Sequence, residues 1–114
     1  MYQIQNITDY PNQALTLILP DGTSTALNLY YVPLQYGWFI LNLTYKTFVL
    51  NGLRITNSPD MLYQYRNLIP FGLACFTAGN REPTQQEDFL SGNSQLFVLT
   101  AAEVAQYTEF LNGD

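Results

Sequence analysis

The sequence has no histidine and a single cysteine, Cys75. Without histidine the chain lacks the commonest general base and the commonest metal ligand of proteins. One cysteine cannot form a disulfide within the chain, which argues against a small secreted scaffold held together by disulfides. Cys75 lies in the apolar run 72–76. We therefore predict a buried, unreactive thiol.

Charge is also scarce, since nine carboxylates stand against four basic side chains and the net charge is -5. The basic residues are scattered along the chain, whereas nucleic-acid binding needs clustered positive charge to neutralise phosphates. No apolar run approaches the length of about 18 residues that a membrane span requires. The first residues lack the basic and apolar regions of a signal peptide. We predict no nucleic-acid binding, no membrane insertion and synthesis in a cytosol.

The sequence offers little for catalysis. Glu87 and Asp88 are adjacent in a polar stretch, and a pair of carboxylates can serve as a cation site or as an acid/base pair. Nothing in the sequence fixes their geometry, and we interpret them as solvated loop charges. The glycines stand alone and form no phosphate-binding loop. We predict no enzyme activity, no cofactor and no metal.

Alternation of apolar and polar residues dominates the 114-residue chain, which has the length of one domain. It predicts strands at residues 15–19, 25–32, 38–45, 48–50, 53–56, 73–77 and 95–99. Asp21-Gly22 and Asn51-Gly52 are typical of tight turns. We predict a mainly antiparallel all-β fold, a small β-sandwich or barrel of about 6–8 strands, over a single domain 1–114.

The same alternation assigns faces to the strands. In the strand 25–32 the predicted core face consists of Leu27, Leu29 and Tyr31. In the strand 38–45 one face is wholly apolar, and we expect it to form the core: Phe39, Leu41, Leu43 and Tyr45. Three large side chains then fall on faces opposite the core: Tyr30, Trp38 and Ile40.

Two helices complete the prediction. Residues 60–65 are predicted to form a short helix that packs Leu62 and Tyr65 inward. The polar stretch 78–94 is predicted to be a long excursion, that is, a loop between strands, with one helical turn near 83–89. Thr100 and Glu103 have the spacing of a capping box. An amphipathic helix should follow over 101–114 and end near Gly113. It docks either on its own sheet, which we favour, or on a partner.

Nine tyrosines and many amide side chains accompany the low charge. Tyrosine gives rigid amphipathic contact area, and interface centres are depleted in charge. We predict a protein-contact surface and self-association into several copies. The candidate interface residues are Tyr30, Tyr36, Trp38, Ile40 and Tyr107. The alternative is a monomeric β module that binds glycans or another protein, with Trp38 and tyrosines stacking on sugars.

The sequence also resembles the small baseplate plug proteins of contractile-tailed phages, the cyanophage-type plug family, over roughly residues 10–100. The segments that carry this resemblance are Pro11-Asn12-Gln13 with Leu15-Thr16-Leu17, Leu27-Asn28-Leu29-Tyr30-Tyr31, Trp38-Phe39-Ile40-Leu41-Asn42-Leu43, Leu62-Tyr63-Gln64-Tyr65-Arg66, and Leu68-Ile69-Pro70-Phe71-Gly72-Leu73. Asn42 stands where we expect an aspartate in the family. The helix after Thr100 extends beyond the family's usual end.

The resemblance implies a structural virion protein at the distal end of the tail, with a plug-like core over 1–100 and a helical extension over 101–114. A plug of this family would sit with the hub, the central spike and the tail tube, and would be made in the host cytoplasm. No catalytic residues carry over from the family.

Overall fold

The structure is a computed structural model that describes residues 1–111. It has seven strands: β1 (Tyr2–Gln3), β2 (Asn12–Ile18), β3 (Ser24–Val32), β4 (Gly37–Tyr45), β5 (Phe48–Arg54), β6 (Gly72–Thr77) and β7 (Ser94–Leu99). Two α-helices are α1 (Asp88–Ser91) and α2 (Ala101–Leu111), and short 3-10 turns cover Pro33–Gln35, Tyr63–Tyr65 and Ala78–Asn80. The predicted helix end near Gly113 lies outside the described residues.

The strands form two antiparallel sheets. β2, β3, β4 and β5 follow one another in a four-stranded sheet, and the order β1-β7-β6 makes a three-stranded sheet. The predicted mainly antiparallel all-β fold is thereby confirmed. One apolar core contains side chains of both sheets, and its fully buried members include Leu27, Leu29, Leu73 and Val98.

The turn between β2 and β3 is at Asp21-Gly22, as predicted, and Gly22 has the positive φ of 88° that favours glycine there. The Asp21 carboxylate accepts hydrogen bonds from the Thr23 hydroxyl at 2.6 Å and the Tyr45 hydroxyl at 2.7 Å. These bonds lower the pKa of Asp21 to about 2. The bond from Tyr45 also ties the turn to the end of β4.

A β-bulge in β4 reverses part of the predicted core. Leu29 pairs with Ile40 and Asn28 with Asn42, so Leu41 is an extra residue in the ladder with β3. The side chains therefore change phase at Leu41, and a complete set of large residues points inward: Trp38, Ile40, Leu43 and Tyr45. The prediction that Trp38 and Ile40 lie opposite the core is wrong. The assignment of Phe39 and Leu41 to the core is wrong as well, because both side chains line the outer side of the sheet.

Trp38 is fully buried, and its indole N–H donates a hydrogen bond to the Gln85 carbonyl at 3.1 Å. Its ring packs between Tyr31 and Phe89, at centroid distances of 5.3 and 5.7 Å. The Tyr31 hydroxyl donates to the Thr84 carbonyl at 2.7 Å. The long excursion between β6 and β7 is thus held against the core by two aromatic side chains of the opposite sheet.

Asp88 is not the solvated loop charge that the sequence suggested. Its carboxylate is buried and accepts hydrogen bonds from both terminal nitrogens of Arg81, at 3.0 and 2.6 Å. It also accepts a hydrogen bond from the Gln85 N–H. Burial opposes ionisation, but these hydrogen bonds outweigh it and hold the pKa of Asp88 below its usual range. The carboxylate therefore organises the loop, while Glu87 is exposed.

The free edge of β6 is covered by the segment before it. Ser58 and Cys75 exchange backbone hydrogen bonds of 2.9 Å, and the Met61 N–H donates to the Leu73 carbonyl. The buried Asp60 carboxylate accepts the N–H groups of Leu62 and Leu73. Because this segment pairs with β6, the helix predicted over 60–65 shrinks to the 3-10 turn Tyr63–Tyr65.

The C-terminal helix α2 begins with the predicted capping box. The Thr100 N–H donates to the Glu103 carboxylate at 3.0 Å, and the Glu103 N–H donates to the Thr100 hydroxyl at 3.2 Å. Val104 packs with Ala74 and Leu99, on the face of the three-stranded sheet away from the main core. The helix thus docks on its own sheet. Within residues 1–111 no helix has the length and apolar character of a membrane span.

The bulge can be tested with two leucines of one strand. Leu43 is fully buried and Leu41 is 47% exposed. We expect Leu43→Ala to lower the free energy of unfolding by about 2–5 kcal/mol, and Leu41→Ala to change it by less than about 1 kcal/mol. Chemical denaturation of the two variants measures the difference. Equal losses would contradict the bulged register.

Asp60 provides a second test. Asp60→Leu leaves the N–H groups of Leu62 and Leu73 without an acceptor, and each buried unpaired donor costs about 1–3 kcal/mol. Asp60→Asn keeps an acceptor oxygen and should lower the free energy of unfolding much less.

Burial raises the pKa of Asp60, so the stability that this carboxyl group contributes falls as the pH rises from about 4 through the raised pKa. The asparagine variant should lack that decline in denaturation midpoints; an identical pH profile would refute this role.

Candidate protein-contact surface

The bulge gives the four-stranded sheet an apolar outer face, by which we mean Tyr30, Val32, Phe39 and Leu41. Tyr30 is 37% exposed and Leu41 is 47% exposed. The four residues line a shallow depression of about 270 Å³, together with Gln35 and Gly52. Gly52 has a φ of 75° and lies across from Leu41 in the register of β4 and β5. Since glycine has no side chain, this site leaves the flank of Leu41 open.

Charge is nearly absent from this sheet. β2, β3, β4 and β5 contain one charged residue, Arg54, although the chain as a whole has thirteen. Its guanidinium lies over the ring of Phe39, with the central carbon 5.5 Å from the ring centroid. Depletion of charge around large apolar and tyrosine side chains is typical of the buried centre of protein interfaces.

A row of asparagines crosses the sheet beside the apolar outer face. Asn28 pairs with Asn42, and Asn42 pairs with Asn51 across the next strand. The Asn42 amide donates to the Asn51 side-chain oxygen at 3.0 Å. An aspartate at residue 42, as expected from the family, would replace this amide donor by an acceptor. The row supplies neutral, adaptable hydrogen-bonding groups at the border of the apolar patch.

The loop after β3 extends the apolar outer face at one end. Leu34 is 93% exposed and Tyr36, with a φ of 48°, is also exposed. Arg54 donates hydrogen bonds of 3.1 Å to the carbonyls of Gln35 and Tyr36. Gly37 lies against the same guanidinium, where an added Cβ would approach to 2.6 Å. The arginine thereby fixes the loop that presents Leu34 and Tyr36.

The structure separates the five candidate interface residues. Tyr30 and Tyr36 are exposed, whereas Trp38 and Ile40 are buried and available to no partner. Tyr107 lies on α2, where its ring meets that of Tyr63 edge-on at 5.4 Å. The sequence reasoning missed the outward side chains of β4, and the glycine at residue 52 was the one signal that pointed to an irregular strand.

Two of the residues considered for catalysis, Cys75 and Asp88, are buried within the fold, while Glu87 is exposed. Cys75 is a buried free thiol, as predicted. Burial raises its pKa to about 11, so the thiolate required of a nucleophile is scarce at neutral pH. Asp88 is held by Arg81 in the loop described above.

Comparison with protein families decides the assignment. The family model described as cyanophage baseplate Pam3 plug gp18 matches residues 1–101. The chain belongs to this family. The match confirms the resemblance and extends it to the first residue, and α2 begins at its last residue. The protein is therefore a structural component of the phage baseplate. The chain has no match among curated proteins.

Arg54 gives a test of how this surface is built. Arg54→Met removes the guanidinium, and with it both the two hydrogen bonds to the loop and the contact with the Phe39 ring. Each hydrogen bond is worth about 0.5–1.5 kcal/mol, so we expect faster hydrogen exchange at the Tyr36 amide, because local opening of this loop becomes easier. Arg66→Met is the matched control, because Arg66 instead packs on Tyr63 and bonds its carbonyl. Unchanged exchange in Arg54→Met would contradict the role of this arginine.

Proposed function

We propose that the protein is a plug component of a contractile phage tail and acts only through contacts with other proteins. The partners are the neighbouring tail proteins, namely the hub, the central spike and the tail tube, and the assembly contains several copies of the chain. No catalytic step and no cofactor is part of this function. Membership of the baseplate plug family supports the structural role, and the surfaces of the molecule support contact with proteins.

The observation that carries the proposal is the uncharged apolar outer face of the four-stranded sheet. All of the acidic side chains are outside β2, β3, β4 and β5, so the net negative charge does not oppose contact there. Large exposed apolar patches on proteins mark sites of association. Tyrosine at the centre of such a patch is a frequent anchor of binding energy. A neighbouring protein that covers Tyr30 and Leu41 removes this surface from water.

The alternative of a glycan-binding module loses its main support in the structure. That interpretation needed Trp38 as an exposed platform for a sugar ring, and Trp38 is fully buried with its N–H satisfied. Of the remaining exposed aromatic rings, Tyr30 shares its depression with Val32 and Leu41, and Tyr36 lies in the loop after β3. An apolar surface of this kind suits a protein partner better than a polyol.

The test is incorporation of a double variant, Tyr30→Ala with Leu41→Lys, into phage tails. Both side chains point away from the core, so we expect melting close to that of the unmodified protein. A true contact centre loses about 2 kcal/mol or more of binding on truncation, and a lysine placed in it adds an unpaired charge. We therefore expect the variant to be absent from assembled tails.

Leu90→Lys is the matched control, since Leu90 is a leucine of α1 that is 56% exposed and does not line the depression of the apolar outer face. It should incorporate normally. Normal incorporation and infectivity of the double variant would show that the outer face is not the contact surface.

A further inference from the structure

The two sheets have four edge strands, and three of them are protected in ways that natural proteins use against unwanted pairing. β6 is covered by the segment of Ser58, and β1 is only two residues long. β5 has the irregular Gly52 and the charged Arg54. β2 has seven residues with neither charge, proline nor glycine. It is the one edge among the described residues on which a further strand meets no such obstacle.

The hydrogen bonding of β2 shows which of its backbone groups are available. The Tyr31 N–H donates to the Pro11 carbonyl at 2.8 Å. Because bonded pairs alternate in an antiparallel ladder, Gln13, Leu15 and Leu17 exchange bonds with β3. The N–H and C=O groups of Ala14 and Thr16 then point to the free edge. Within residues 1–111 no side chain bonds these four groups.

The free edge of β2 faces a cleft of about 370 Å³, whose opposite wall is formed by residues 2–6. The Ile4 N–H donates to the Leu96 carbonyl at 2.8 Å, so by the same alternation Gln3 directs its backbone groups away from β7. The Tyr2 hydroxyl donates to the Ile18 carbonyl and closes one end. Both walls of the cleft thus offer unpaired backbone donors and acceptors at the seam between the two sheets.

We propose that this cleft receives an extended segment of a partner protein, which adds a strand to β2. The inference rests on the proposed function, since it names the contact by which a neighbouring tail protein is held. Main-chain hydrogen bonds supply the affinity in this mode of recognition, and alternate side chains supply the specificity. The segment that fits is uncharged and free of proline, with apolar side chains directed toward the partly buried Leu15 and the buried Ile4.

A free-standing segment suits the cleft better than the edge of a second folded copy. The wall of residues 2–6 lies opposite β2, so a strand that is already part of another sheet would carry its own neighbours into that wall. A single extended chain occupies only the seam. It would also pair with Gln3 on its other side and so join the two sheets.

Hydrogen exchange at single-residue resolution tests this assignment in the unmodified protein, free and in purified tails. We expect the amides of Ala14 and Thr16 to exchange rapidly in the free chain and slowly in the tail. Rapid exchange of both amides in the tail would overturn the proposal. Protection that appears in the isolated chain as its concentration rises would assign the edge to a second copy and would overturn it as well.

Thr16→Pro removes the outward N–H and leaves the ladder with β3 intact, while Thr16→Val keeps the N–H and the side-chain shape. Loss of one hydrogen bond weakens binding by roughly tenfold. We expect tails assembled with wild-type protein in competition to contain about tenfold less of the proline variant and normal amounts of the valine variant. Equal incorporation of a folded Thr16→Pro protein would refute strand addition. In that case the Tyr30→Ala and Leu41→Lys double variant separates the two proposals. If it is excluded from tails while Thr16→Pro incorporates normally, only strand addition fails. If both variants incorporate normally, the proposed function fails as well.

Discussion

The single extra residue in β4, Leu41, determines which side chains of that strand lie in the core and which form the outer face of the sheet. Without the bulge at Leu41, a regular alternation would place either Trp38 and Ile40 or Leu43 and Tyr45 in water. With it, all four are inside. Inward placement of Trp38 brings its indole N–H to the Gln85 carbonyl and secures the excursion between β6 and β7. Outward placement of Leu41 creates the surface that we assign to protein contact.

Local chemistry made several elements predictable from the sequence. The turn at Asp21-Gly22 and the capping box at Thr100 each depend on side chains within a few residues, and both have the predicted geometry. Alternation likewise placed the strands and the inward face of β3. Tyr30 and Tyr36 were identified as surface residues because one alternates with a regular core face and the other follows the turn at Pro33.

The errors arose where a residue's role depends on a distant partner. A bulge is defined by the neighbouring strand, so the composition of 38–45 favoured the wholly apolar face and gave the wrong side for Trp38. Asn51-Gly52 has the composition of a tight turn, yet both residues lie within β5, where Gly52 adopts a positive φ. Asp88 looked like a loop charge because its partner, Arg81, becomes its neighbour only through the fold of the excursion.

The fold and the family describe a small β protein with a structural role in the baseplate, and we propose that two of its surfaces contact other proteins. The family places the chain in the baseplate. The uncharged outer face offers apolar area, and the seam beside β2 offers backbone hydrogen bonds, so in our proposal the two surfaces bind different features of a neighbour. Because the apolar outer face and the edge of β2 belong to the same sheet, one neighbour can engage both without a change in the domain.

The most direct measurement is a reconstruction of the baseplate at a resolution that shows side chains. Our account predicts that another tail protein covers Tyr30 and Leu41, with those two side chains excluded from solvent and Trp38 still within the domain core. An assembled baseplate in which the outer face is open to solvent, while the plug contacts its neighbours only through other surfaces, would contradict it.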